Sequence, residues 1–165
     1  MSTKTNFTLE EWATLRNAPH LAAAAVMIAG RSGILGSLKE AFTIAQRFSE
    51  SSSSDHALIK ALSAQDETRA GQEFVYSQVS LREAAQAPEK LRRLAVEKCQ
   101  AAVTLLNQKG EAGEADTYKR WVMDMAQKVA NAAKEGAFLG FGGERVSDAE
   151  EAVLNDLTAA LHVPA

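Results

Sequence analysis

The feature of this sequence that most restricts its fold is the apolar run PHLAAAAVMIAG, residues 19–30. The run is apolar almost all round a helix, and such a helix is usually central and buried because no face of it suits water. A membrane span needs about 20 apolar residues, so this run is too short to be one. Its consecutive alanines, residues 22–25, let neighbouring backbones approach closely. The run therefore predicts a central helix that other helices enclose.

The rest of the chain supplies those other helices. Its apolar residues recur at helical spacing, and capping-box patterns at Thr8, Ser37 and Ser147 mark helix starts. Asp55 is placed to cap a short helix, and Pro88 to open a longer one, since proline is tolerated in a first turn. We predict an all-α fold: a single compact bundle of about seven to eight helices over residues 1–165. Residues 1–6 are expected to be disordered, and residues 51–54 to form a Ser-rich linker.

Two residues are predicted to end helices. Pro19 should break the first helix after Ala18 and begin a second one, which covers residues 19–29. Gly136 should form a left-handed C-terminal cap on a helix over residues 114–135. The helical stripes place the following residues toward the core: Leu9, Trp12, Leu58, Ile59, Leu62, Leu91, Cys99, Leu106, Tyr118, Trp121, Met125, Val153 and Leu157.

Composition excludes several classes of protein. The chain is 46% hydrophobic and 24% charged, as globular domains are, and its net charge of −3 argues against a nucleic-acid-binding face. Cys99 is the only cysteine, so no intramolecular disulfide can form, and we expect a buried structural thiol. The first residues lack the apolar region of a signal peptide. We therefore expect a cytoplasmic protein without a membrane span.

Motifs for catalysis are not found in the sequence, which leans against an enzyme and indicates no cofactor. The histidines, His20, His56 and His162, stand at predicted helix ends rather than at metal-ligand spacing. His20 is the best candidate among them for a ligand-binding role, because it could lie half buried beside Trp12. Asp148 and Glu150 are weak candidates for a metal site. Acidic residues are also expected in a first helical turn because of the helix dipole, which makes a structural cap the simpler interpretation.

The segment EGAFLGFGGERVSDAE, residues 135–150, interleaves glycines with large apolar residues. One interpretation is structural: Phe138, Leu139 and Phe141 enter the core, and Gly142 and Gly143 supply positive φ angles. In the other, these residues form an exposed apolar surface that binds a protein partner or a second copy of the chain. The same surface, or a gap beside the alanines, could bind an apolar small molecule, since ligand pockets often lie between helices.

The pattern of Gly143, Val146, Ser147 and Glu150 resembles the closing helix–turn–helix of the tellurite-resistance TerB-like family. That resemblance implies a compact helical bundle, often linked to stress, and a pair of carboxylates thought to hold metal. Gly142 replaces one acidic residue of that pair, so Glu150 alone carries over. Our leading hypothesis is a non-catalytic helical interaction module with a stress-associated role. The alternative is a helical bundle that binds a small apolar ligand or a divalent metal.

Overall fold

A computed structural model describes residues 2–30, 56–78, 80, 83, 86–137 and 147–161, with the backbone alone for residues 132–137. Within these ranges the chain is all helical and contains no strand. Six α-helices have their bounds within the described ranges: α1 (Leu9–Ala29), α2 (Ala57–Leu62), α3 (Gln65–Gln78), α4 (Pro88–Lys109), α5 (Glu114–Ala137) and α6 (Asp148–Leu161). A short 3-10 turn, Lys4–Asn6, precedes α1. The predicted fold class is confirmed, while seven to eight helices and a TerB-like packing are not. The predicted helix after Ser37 and the linker 51–54 lie outside the described residues.

Helix α1 is the centre of the bundle. It packs against α3, α4, α5 and α6, and its residues 21–26 are each at most 4% exposed. The small alanine side chains let these helices pack closely around α1, because each alanine contributes only a methyl group to the interface. The central, enclosed helix predicted from the apolar run is confirmed.

The predicted break at Pro19 is wrong. Helix α1 continues through Pro19, whose ring nitrogen cannot donate the hydrogen bond that the Leu15 carbonyl would normally accept. The buried hydroxyl of Tyr118, on α5, donates to that carbonyl instead at 2.8 Å. A tertiary contact thus satisfies the group that proline leaves unpaired, and the helix has no need to end.

Three local predictions are corrected. His56, not Asp55, is the N-cap residue of α2, and Asp55 lies outside the described residues. Gly136 lies within α5 rather than capping its end. Leu9, the first residue of α1, is 84% exposed rather than part of the core.

Other boundaries follow the sequence prediction. Thr8 accepts from the Glu11 amide at 3.2 Å and Glu11 accepts from the Thr8 amide at 2.8 Å, which completes the capping box of α1. Pro88 lies in the first turn of α4, and Ser147 caps α6. The predicted burial of Cys99 is confirmed at 0% exposure.

Residues 2–6 have defined contacts, in contrast to the disorder expected for residues 1–6. Ser2 is only 3% exposed, and its amide donates to Glu114 at 2.6 Å. In the described part of the chain, none of the helices combines the length and apolar character needed to cross a membrane.

Candidate functional site

A ladder of side chains joins α1 to α3. Trp12, Arg16 and His20 recur at every fourth residue and lie along one face of α1, since i and i+4 positions stack on a helix. Glu67 and Gly71 have the same spacing on α3. Glu67 lies beside Trp12 and Arg16, and Gly71 lies against His20. The structure therefore brings together the two candidate residues Trp12 and His20 along one helix interface.

Glu67 is the charged centre of this ladder. Its side chain is only 6% exposed, and its two oxygens bind separate cations: Oε1 accepts from Lys4 Nζ at 2.5 Å, and Oε2 from Arg16 Nη1 at 3.3 Å. Arg16 Nε also donates to Asn17 Oδ1 at 3.0 Å, which fixes the guanidinium. Burial alone would raise the pKa of Glu67. The contacts of its carboxylate together outweigh burial and lower that pKa, and the largest of these contacts is the hydrogen bond from Lys4. The carboxylate is ionised at neutral pH.

His20 occupies the inner end of the ladder. It is 5% exposed, and a Cβ atom added to Gly71 would overlap its Cδ2 and lie 2.6 Å from its Nε2. Only glycine at position 71 allows the imidazole to lie this close to the α3 backbone. Burial and, secondarily, the charge of Arg16 lower the pKa of His20 to about 4. The imidazole is therefore neutral at physiological pH, because a second positive charge in this interior is unfavourable.

A second buried carboxylate, Glu114, anchors the start of the chain. It is 2% exposed and accepts from the amides of Ser2 at 2.6 Å and Glu111 at 3.0 Å. Burial would raise the pKa of Glu114, but the hydrogen bonds from Ser2 come next in size and help to lower it. Glu67 and Glu114 together hold residues 2–7, which we call the N-terminal strap.

Sequence reasoning missed Glu67, Glu114 and Lys4 as members of a site. A signal was present in α3, where Glu67 shares one helical face with Gly71 and Val75. An acidic residue on an otherwise inward face indicates a buried partner. The identity of that partner, Lys4, depends on where the strap lies and could not be read from spacing.

Of the two weak metal candidates, Glu150 has a structural role in the described part of the chain. Glu150 is 5% exposed and accepts from the amide and hydroxyl of Ser147, each at 2.9 Å, while Asp148 is exposed. Oε1 of Glu150 also packs against Gly30 at the end of α1. No group of three or more His, Cys, Asp or Glu side chains in the described ranges is arranged to hold a metal ion. Glu150 acts here as the capping partner of α6.

The remaining predicted site residues, Phe138, Leu139, Phe141, Gly142 and Gly143, lie outside the described residues. The thiol of Cys99 is not a reactive group, because burial raises its pKa to about 12 and keeps it protonated.

A surface cleft of about 330 Å³ lies between α4 and α6. Its lining consists of Glu89, Arg92, Arg93, Val96, Glu97 and Asp156. Arg92 crosses it to bind Asp156 at 2.7 Å, so an ion pair already joins its two sides.

Comparison of the chain with known protein families, curated proteins and solved structures gave no match. Its class is therefore defined by its own geometry: an all-helical protein whose central helix carries a buried polar ladder and is bound by an N-terminal strap.

Proposed function

We propose that this protein is a non-catalytic helical interaction module of the cytoplasm, which binds a protein partner or a second copy of itself. The observation that carries the proposal is the use of its buried carboxylates. Glu67 binds Lys4 and Arg16, Glu114 binds Ser2 and Glu111, and Glu150 binds Ser147. Each of these carboxylates, all in the described part of the chain, is engaged by groups of the protein itself, which supports a structural role.

The other reactive residue types fit the same proposal. Cys99 is protonated and buried, so it supports no nucleophilic chemistry. His20 is packed against the α3 backbone, which leaves it no space to approach a substrate. A rigid scaffold that presents a surface is the role these arrangements support best.

The proposal includes a stress-associated role, which rests on the resemblance of Gly143, Val146, Ser147 and Glu150 to the TerB-like pattern. The docking surface in this proposal is the apolar segment Phe138, Leu139 and Phe141, which the sequence offers as a candidate and which lies outside the described residues.

Association assays with a paired variant test this function. Native mass spectrometry and quantitative affinity capture would compare the wild type with Phe138→Ser/Phe141→Ser. We expect the wild type to form a defined oligomer or to enrich one partner reproducibly. The association of the variant should be at least about tenfold weaker. Leu9→Ser is the matched control, because it removes a different apolar side chain that is 84% exposed.

Thermal unfolding of the same variants separates docking from folding. Retained melting temperature with lost association supports the docking surface. A wild type that stays monomeric and enriches no partner above the control would contradict the proposed function.

A further inference from the structure

The ammonium group of Lys4 lies in a site built by two helices. Its Nζ is 2.5 Å from Oε1 of Glu67, on α3, and 6.0 Å from the centroid of the Trp12 ring, on α1. A carboxylate and an indole face are the two groups that proteins use to recognise an ammonium: one through a charge-assisted hydrogen bond, the other through the negative face of its π system.

Both groups also have contacts with the bundle besides Lys4. Trp12 is 2% exposed, and Glu67 is buried with its second oxygen bound to Arg16 at 3.3 Å. Arg16 also donates to Asn17, so one oxygen of Glu67 has a partner on α1 that is separate from Lys4. The site is therefore organised by α1 and α3, and Lys4 is its occupant.

The occupant comes from a short segment whose two ends are buried, since Ser2 is 3% and Phe7 8% exposed. Lys4 belongs to the N-terminal strap, and its side chain is 53% exposed, so the site opens to solvent along the lysine stem. Besides Lys4, the strap is attached through the Ser2 amide on Glu114 and through Phe7, whose ring centroid is 6.1 Å from that of Trp12. Release of this short segment would uncover the indole and the carboxylate together.

We propose that Glu67 and Trp12 form a recognition site for a lysine side chain of a protein partner, with Lys4 as an internal ligand that the partner displaces. This inference rests on the proposed function, which supplies the protein partner. A ligand on a short tether competes at an effective concentration on the order of millimolar. The strap therefore excludes free amines and admits only a lysine whose protein makes further contacts.

Removal of the Lys4 side chain tests whether the site binds another lysine. The probe is N-acetyl-lysine methylamide, titrated into wild type and Lys4→Ala while the Trp12 indole N–H resonance is followed by NMR. Trp121→Phe assigns that resonance, because Trp12 and Trp121 are the two tryptophans of the chain. We expect Lys4→Ala to bind the probe at least about tenfold more tightly than the wild type, and Glu67→Gln in the Lys4→Ala background to abolish that gain.

Two controls match this design closely. Lys109→Ala removes a lysine whose Nζ is likewise 2.5 Å from a glutamate, Glu11, and it should leave the Trp12 resonance and the probe affinity of the wild type unchanged. The doubly acetylated probe, which lacks the side-chain charge, should not bind Lys4→Ala.

Equal probe binding by wild type, Lys4→Ala and Lys109→Ala would overturn the proposal. Unfolding of both Lys4→Ala and Lys4→Gln would also overturn it, because Lys4 would then be a structural requirement rather than a displaceable ligand. If Glu67→Gln and Lys4→Ala associate with each other but neither associates with itself, the occupant is Lys4 of a second copy, and the assignment to another protein is wrong.

The two proposals can fail separately. Loss of association in the Phe138→Ser/Phe141→Ser variant measures the interaction function, whereas the probe titration measures the lysine site alone. If the probe titration fails while the association of the wild type is intact, only the proposed lysine site is wrong.

Discussion

At the scale of single residues, the burial of His20 makes stability depend on pH. The unfolded chain carries this imidazole with an ordinary pKa of 6.5, whereas burial and Arg16 lower the pKa to about 4 in the fold. The unfolded state therefore binds a proton more readily between these values. Stability contributed by neutral His20 is fully present above pH 6.5 and is lost as pH falls toward 4 and below, by about 3 kcal/mol in total.

Urea unfolding of wild type and His20→Gln at pH 7 and pH 4 checks this expectation. We expect the wild type to lose about 3 kcal/mol more than the variant over that interval, because glutamine does not titrate. The lowered pKa of Glu67 also weakens the fold in acid, but it does so in both proteins and cancels in the comparison. Equal losses in the two proteins would show that His20 does not stay neutral in the fold.

At the scale of the element, continuity of α1 depends on a contact with α5. We expect Tyr118→Phe to destabilise the fold by about 1–3 kcal/mol, because the Leu15 carbonyl would lose the donor that replaces the missing N–H of Pro19. Chemical denaturation followed by circular dichroism measures the free energy of unfolding.

A double-mutant cycle with Pro19→Ala supplies the control for this prediction. Alanine restores an N–H at position 19 that can donate to Leu15, so Tyr118→Phe should cost less in the Pro19→Ala background. An unchanged cost would mean that the hydroxyl stabilises the protein through some other contact.

At the scale of the whole molecule, one helix, α1, packs against four of the other five helices whose bounds lie in the described ranges. Ala22 is fully buried on α1, which α3, α4, α5 and α6 surround. We expect Ala22→Leu to destabilise the fold by about 1–3 kcal/mol, since a close-packed interior has no room for added methylenes. Its effect should be the same by circular dichroism and by tryptophan fluorescence, because the helices share this centre.

Ala101→Leu is the matched control, as Ala101 is exposed on α4. It should change the free energy of unfolding by less than about 0.5 kcal/mol. Comparable losses at the two positions would contradict the central, close-packed position of α1.

The sequence by itself determined the helical class, the central position of the apolar run and several helix starts. These features depend on local chemistry: side-chain spacing around a helix, small residues along it, and hydroxyls that cap the first turn. Thr8, Pro88, Ser147 and the buried Cys99 could therefore be predicted, as could the structural role of Glu150.

Only the tertiary structure decided that α1 continues through Pro19, and which groups meet at the polar ladder. The Tyr118 hydroxyl that donates to the Leu15 carbonyl comes from a distant part of the chain. Lys4, Glu67 and Gly71 likewise reach Trp12 and His20 from segments outside α1. Periodicity predicts the face on which a residue lies, but not which distant residue approaches that face. The candidate site consists of such long-range contacts, and for that reason spacing along the chain could not reveal it.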